Sequence, residues 1–332
     1  MRSTIAIDIF LKRVFAVLLI APCLGYAQSG SRTVAVVTSS NDGIYQEVTK
    51  SIVNVVAGNP SDNVDLSFIN LGNNTPTEEP SRLISGYDLV VSVGVSATSY
   101  IDSLEVRPPL LAVLIPLQTA QSLRQSSPAS TAKPGQWASA IVLDQPIERQ
   151  LRLIKLITKG TKSVGILLSP STGFSVEEIE KLSKLFNLDF YSEVVKPGQS
   201  FFRELGYVLD KADIFLAVPD PLIFNRQTAG NLLQSAYRHR VPVIGFAHSH
   251  VKAGALAAVY SSPEQIGRHA GEAILEFFSS DEKKINGIQS PRYFSVAFNR
   301  QVERSLGLVM PNEAEIELEI RSLEHSLEKT TP

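Results

Sequence analysis

The sequence predicts an α/β protein of two Rossmann-like lobes with parallel sheets joined by a hinge, on three observations. The chain has 332 residues, which suits two domains of roughly 150 residues better than one. Short β-branched apolar runs alternate with amphipathic helical stretches, the order that builds parallel sheets covered by helices. That alternation occurs twice, on either side of a polar stretch at 118–136 rich in Ser, Ala, Thr and Gln.

Residues 1–27 stand outside the pattern. Lys12 and Arg13 precede an apolar run over 14–21, followed by Pro22 and then Gly25-Tyr26-Ala27. This is the charged, apolar and cleavable order of a secretory signal ending at Ala27, and the run is short for a bilayer span. Cys23 follows Pro22, where a lipoprotein signal normally has a small residue, so a soluble periplasmic product is expected. Cleavage removes Arg2, Lys12 and Arg13 but only Asp8, leaving the mature chain two charges more negative than the whole chain's −2.

The first lobe is expected over 28–117. Residues 33–38 (TVAVVT) form a strand ending at Ser39-Ser40-Asn41-Asp42, whose side chains suit a turn and a helix N-cap. Ile44, Val48, Ile52, Val55 and Val56 recur at helical spacing. Residues 64–69 alternate like a half-buried strand. A third strand over 88–93 is closed by Gly94, Ser96 stands at a helix start, and 110–115 make a fourth strand.

The second lobe is expected over 118–260. Residues 140–143 lead to Asp144, and 147–157 have helical periodicity. The strand over 164–168 ends at Ser169-Pro170-Ser171-Thr172-Gly173. Helices over 176–186, 201–209 and 229–237 alternate with strands over 190–195, 214–218 and 241–246. Ser261-Ser262-Pro263 marks a return, within 261–290, to the first lobe. Residues 291–332 supply a last strand and a helix, with Asn312 and Glu315 as a capping box. Ile316, Ile320, Leu323 and Leu327 form an apolar stripe that docks on its own domain.

Open α/β sheets bind ligands beyond the carboxyl ends of their strands, where helix N-termini converge. The candidate ligand-binding residues are therefore Ser39, Ser40, Asn41, Gly94, Ser96 and Gln118 from the first series. From the second they are Asp144, Ser171, Thr172, Asp220, Phe246 and His248. Plainer roles compete: Ser39, Ser40, Asn41 and Asp144 suit helix caps, and Asp220 between two prolines suits a rigid turn. This inventory of hydroxyls, amides and scattered charges holds no concentrated acid–base pair.

Other chemistries are disfavoured. With 31 Lys+Arg against 33 Asp+Glu, no positive field attracts nucleic acid. Cys23 is the single cysteine, which excludes a disulfide framework or Cys-rich zinc site. His248-Ser249-His250 offers half of a metal site, but on a strand its histidines would point to opposite sides. No nucleophile elbow, zinc-protease motif, phosphate loop or dinucleotide fingerprint is present. No catalysis, cofactor or metal is expected.

Several segments, in order, resemble one family. They are Ala212-Asp213-Ile214 with Val218-Pro219-Asp220, then 241–246 (VPVIGF), 251–256 (VKAGAL) and Ile266-Gly267-Arg268. Phe298-Asn299-Arg300, Leu306-Gly307-Leu308 and Pro311 follow, and 150–155 with 163–167 extend the likeness upstream. The chain resembles the ABC-transporter substrate-binding proteins of the tryptophan/tyrosine importer group. The resemblance implies the type I periplasmic binding fold, with three crossovers and hinge closure on a small molecule, and a membrane permease as partner. A monomer is expected. A periplasmic sensor presenting its closed form to a receptor is the alternative. Ile115-Pro116-Leu117-Gln118 stands where many members carry Asp-Pro, and 131–137 replaces a Gly-rich turn. These departures suit a larger or more apolar ligand, with Tyr45, Trp137 and Phe246 as packing surfaces.

Overall fold

A computed structural model describes residues 32–72, 84–104, 107–126, 139–158, 160–281, 285 and 287–328. The expected signal at 1–27 and Trp137 lie outside the described residues. The strands are β1 (Arg32–Thr38), β2 (Val64–Asn70), β3 (Leu89–Val93), β4 (Leu110–Ile115), β5 (Ser139–Val142) and β6 (Ser163–Leu168). After them come β7 (Asp189–Val194), β8 (Ile214–Leu216), β9 (Val243–Gly245), β10 (Ala257–Tyr260), β11 (Ile288–Gln289) and β12 (Ser295–Phe298). The helices begin with α1 (Gly43–Ala57), α2 (Val95–Asp102), α3 (Leu117–Ser126), α4 (Ile147–Ile157), α5 (Val176–Leu185) and α6 (Phe202–Leu209). They continue with α7 (Ala229–Arg238), α8 (His248–Ala253), α9 (Pro263–Ser279), α10 (Arg300–Ser305) and α11 (Glu313–Glu328).

Two six-stranded sheets result, in the orders β11-β5-β4-β3-β1-β2 and β12-β10-β9-β8-β6-β7. Every pairing is parallel except β10 with β12. The β-branched runs explain the central strands: β3 and β6 are buried along their whole length, as sheets covered on both faces require. β2 and β7 are edge strands and alternate or grade into exposure.

The chain crosses between the sheets three times, at 143–146, at 261–262 and at 290–294. The return at Ser261-Ser262 is sharp because Ser262 and Gln265 form a capping box at the start of α9. α9 then lies on α1: Ser51 Oγ donates to the Glu264 carbonyl at 2.7 Å. A Cβ on Gly267 would fall 2.4 Å from the Val48 carbonyl oxygen.

Three sequence expectations change here. Strand β5 pairs with β4, so residues 118–142 that are described belong with the first sheet, and the lobe boundary at 118 moves to the 143–146 crossover. Most of the early part of the polar stretch is helix α3 rather than loop. Its sparse stripe of Leu117, Ala120 and Leu123 is too weak to read as amphipathic among so many polar residues. The His248-Ser249-His250 segment is the start of helix α8, not a strand.

Ile316 and Ile320 of α11 are buried in the core around β6, β8 and β10, as the apolar stripe predicts. Leu323 is partly exposed, and the side chain of Leu327 lies outside the described residues. No helix among the described residues is long and apolar enough to cross a membrane.

Candidate ligand-binding site

The carboxyl ends of the two sheets meet. The segment after β6 reaches the segment after β4, where Gln121 Nε2 donates to the Gly173 carbonyl at 2.9 Å. A Cβ on Gly173 would lie 3.1 Å from the backbone nitrogen of Gln118 and from Leu117 Cβ. Only a residue without a side chain lets the lobes approach this closely without displacing a neighbour. A groove of about 840 Å³ opens at this junction, lined by Leu117, Gln121, Ile147, Glu148, Phe174 and Leu182 among others. Of the predicted set, Gln118 touches this contact through its backbone. Gly173, Leu117 and Gln121 were not singled out; Gly173 closing a Ser-Pro-Ser-Thr-Gly strand end was the available signal.

In the first lobe, Ser39 sits half-buried with its hydroxyl accepting from the Ala97 amide at 2.8 Å. It therefore caps α2, not the helix that follows it in sequence. Asp42, the N-cap of α1, makes no side-chain cap bond. Gly94 occupies the N-cap of α2 at φ 93°, ψ 163°, a region that is essentially glycine's alone. A Cβ there would meet Ser39 Oγ and Tyr45 Cε1, each at 2.7 Å. Ser39, Gly94 and Tyr45 thus form one contiguous floor, with Ser96 exposed on the first turn of α2. First-turn amides of a helix favour acceptors such as carboxylate. Ser40 accepts from the Asp42 amide at 3.3 Å and Asn41 accepts from Gln46 through its carbonyl at 2.9 Å. Ser40, Asn41 and Tyr45 line a second groove, of about 440 Å³, running between α1 and β2.

Asp144 lies at the first crossover, 3% exposed. Its carboxylate accepts from the Leu117 amide at 2.7 Å. Burial raises its pKa to about 6, against the lowering effect of that bond. Asp144 joins the end of β4 to the end of β5, directly beside the contact between the lobes. β4 itself is bulged before that turn: Leu114 has φ 58° and the pairing with β5 shifts register between Val113 and Ile115.

The second lobe uses its polar residues differently. Asp220 is 2% exposed. One carboxylate oxygen accepts from Ser169 Oγ at 2.7 Å and from Thr172 Oγ1. The other accepts from the amides of Leu222 and Ile223 at 2.9 and 3.3 Å. Ser171 donates its amide to Ser169 Oγ at 3.0 Å. Asp220 and Thr172 are thereby knotted into the wall, and the turn role weighed for Asp220 is the one its geometry displays.

The surface beside that knot is aromatic. Phe246 meets Phe224 edge-on at 5.5 Å and His250 at 4.3 Å. Burial lowers the His250 pKa to about 4, which keeps the ring neutral. His248, exposed, stacks on Tyr260 with ring centres 5.4 Å apart and planes within 5°. The two histidines diverge, and no group of three His, Cys, Asp or Glu among the described residues could hold a metal.

A two-lobed α/β chain whose sheet ends meet beside a glycine contact is matched over residues 83–315 by the family described as ABC transporter substrate binding protein. The chain belongs to that family. The resemblance read between Ala212 and Pro311 points to the same family. A curated relative, the tyrosine-binding protein of Clostridioides difficile (strain R20291), is 25% identical over 224 residues, covering 65% of this chain. The match spans 62% of that relative's length.

Among solved structures, a ligand-free, open substrate-binding protein with adhesive properties from Clostridium difficile superposes with a TM-score of 0.62 at 16% identity. It covers 85% of this chain and 96% of the other. An ABC domain in complex with L-Trp from Streptococcus pneumonia gives 0.57 at 20% identity, covering 86% and 98%. These likenesses establish the type I periplasmic binding fold. The comparisons lend no support to the sensor alternative.

Proposed function

We propose that this family member is the solute-binding component of an ABC-type uptake system, taking an amino-acid-sized molecule between its lobes by hinge closure. The observation that carries this reading is the meeting of the two sheet ends at Gly173, Leu117 and Gln121. Ligands of open α/β sheets occupy that position, and both lobes contribute to its walls. The relatives' names, tyrosine-binding and L-Trp-bound, support an aromatic amino acid as the first ligand to try.

In this proposal the α2 N-terminus beside Ser39 and Gly94 receives the ligand's carboxylate. The aromatic wall of Phe246, His248 and Tyr260 receives its apolar body. Asp220, Thr172 and Ser171 shape the wall without spending hydrogen bonds on the guest. Contacts made by both lobes only when they approach shift the population toward the closed form. The closed protein then presents itself, as a monomer, to a membrane permease after export through the signal at 1–27. The ligand leaves unaltered, because the site gathers no acid–base pair.

Calorimetry of the purified protein against the proteinogenic L-amino acids, with mass spectrometry of any co-purified ligand, tests this reading. Binding of one or a few amino acids, recovered unchanged, is the expected result. Uptake of none of them, or recovery of a chemically altered product, would overturn it.

A further inference from the structure

We propose that the C-terminal helix α11 sets the resting angle of the hinge, with Glu324 as a positioning residue acting through Arg149. The inference rests on the closure reading above and extends it to residues far from the ligand-facing strand ends.

Glu317, Arg321 and Glu324 recur at i, i+4 and i+7, so they share one face of α11. Arg321 and Glu324 engage the third crossover or the residue that holds it, and Glu317 anchors the start of β12 just after it. Glu317 accepts from the Val296 amide at 2.7 Å. Arg321 donates to the Phe294 carbonyl at 2.7 Å. Glu324 pairs bidentately with Arg149, Nε to Oε1 at 2.6 Å and Nη2 to Oε2 at 2.9 Å. Arg149, buried in α4, carries the connection onward, donating from Nη1 to the Pro291 carbonyl at 3.0 Å and to Gln145 Oε1 at 2.7 Å.

From Gln145 the chain of bonds reaches the other two crossovers. Gln145 Nε2 donates to Ser261 Oγ at 2.9 Å, and Ser261 Oγ donates to the Tyr293 carbonyl at 2.5 Å. Residues from all three crossovers, Gln145, Ser261, Pro291 and Tyr293, thus lie on a single path that ends at the Arg149–Glu324 pair.

The third crossover is also gripped from the first-lobe side. Arg292 pairs with Glu272 at 2.8 Å and Glu276 at 3.1 Å, both on α9. Tyr293 Oη donates to Glu272 at 2.7 Å, and the Arg292 amide donates to His269 Nδ1 at 3.3 Å. Pro291 and Phe294 are therefore held by second-lobe helices while Arg292 and Tyr293 are held by α9. Any rotation between the lobes at this crossover must be absorbed within those four residues.

Removing the charge of Glu324 leaves the buried guanidinium of Arg149 without its counter-ion. Such a group reorients toward solvent or new partners, releasing Pro291 and Gln145 together. A structural ion pair elsewhere on α11 would not change the angle between lobes, and that difference makes the inference testable.

The test is electron–electron resonance on the full chain, with nitroxides at Lys50→Cys on α1 and Lys181→Cys on α5 in a Cys23→Ser background. Distances are taken without ligand and with L-tyrosine, for the parent, Glu324→Gln and Ile320→Ala. Ile320→Ala removes core packing from the same helix without touching the polar path. The expected result is a shifted or broadened ligand-free distance for Glu324→Gln alone. Where L-tyrosine closes the parent, its affinity for Glu324→Gln should change at least about fivefold, the low end of usual coupling. Ile320→Ala should lose melting temperature yet keep the parent distance. A Glu324→Gln distance that superimposes on the parent's, or an equal displacement in Ile320→Ala, overturns the role of Glu324. Failure of L-tyrosine to move the parent counts against the closure reading for that ligand, and the ligand-free distances still decide the hinge.

Discussion

The two cleft walls are built from the same residue types and use them in opposite ways. In the first lobe, Ser39 and Gly94 set one helix end, and Ser96 lies exposed on its first turn. In the second, Ser169, Thr172 and Asp220 bond one another, and the surface beside them is carried by Phe246, His248 and Tyr260. Hydroxyls and carboxylates at strand ends are thus not a count of ligand contacts. In one wall they shape a helix N-terminus, which the proposed function makes the receptor, and in the other they bond one another beside an aromatic face.

The contrast is broken most forcefully at Asp220. Asp220→Ala strands two hydroxyls and two amides in a buried site. It should cost at least about 3 kcal/mol, since each unpaired buried group costs about 1–3 kcal/mol. Denaturant melts measure it, and lost affinity with unchanged stability would return Asp220 to the ligand set. Gly94→Ala comes next. A side chain at φ 93° that also meets Ser39 and Tyr45 should cost about 2–3 kcal/mol. Unlike Asp220→Ala, it should abolish binding even where the protein stays folded, which calorimetry below the melting temperature detects.

Acid should weaken both lobes, through His250 in the second and through His269 on α9 in the first. Burial holds His250 and His269 at about 4, below their unfolded value. Their contribution is therefore present above pH 6.5 and lost as pH falls through about 4. Asp144 runs the other way: raised to about 6, its contribution is full below its unfolded value and lost as pH rises through 6. Net stability should fall between pH 6.5 and 4, and Asp144→Asn should steepen that fall by removing the opposing group. Melts at pH 7, 5.5 and 4.5 separate the two.

Ser39→Ala removes the hydroxyl that caps α2 and should cost about 1 kcal/mol, with weaker ligand binding. His248→Ala should change stability by less than about 0.5 kcal/mol, as exposed substitutions do. A measurable loss of affinity for an aromatic ligand, set beside little change for an aliphatic one, would mark the aromatic face as its seat.

Much of the fold was legible because burial on both faces leaves long β-branched runs, so β1, β3, β4 and β6 stand out in the sequence. Helix α3 was not legible, since its apolar stripe is only Leu117, Ala120 and Leu123 and its remaining positions are Gln, Ser, Thr and Arg124. Strand β5 was assigned to the wrong lobe because its run looks the same in either sheet; only pairing with β4 decides it. At the candidate site, Ser39 and Gly94 were read as strand-end residues and the structure places them side by side, but the partner of Ser39 is a helix 58 positions away from it in sequence. Sequence spacing carries no sign of such a bond. Gly173 was visible as a strand-end glycine, yet its necessity comes from Leu117 in the facing lobe. The path through Arg149 and Glu324 spans 175 positions, and no local pattern announces it.

The most direct measurement is small-angle scattering of the protein with and without a saturating amino acid that calorimetry has shown to bind. Capture between the lobes requires the radius of gyration to fall on binding, and to fall far less in Gly94→Ala at the same ligand concentration. Tight binding with a scattering curve that does not move would place the guest on one lobe's surface and contradict the account.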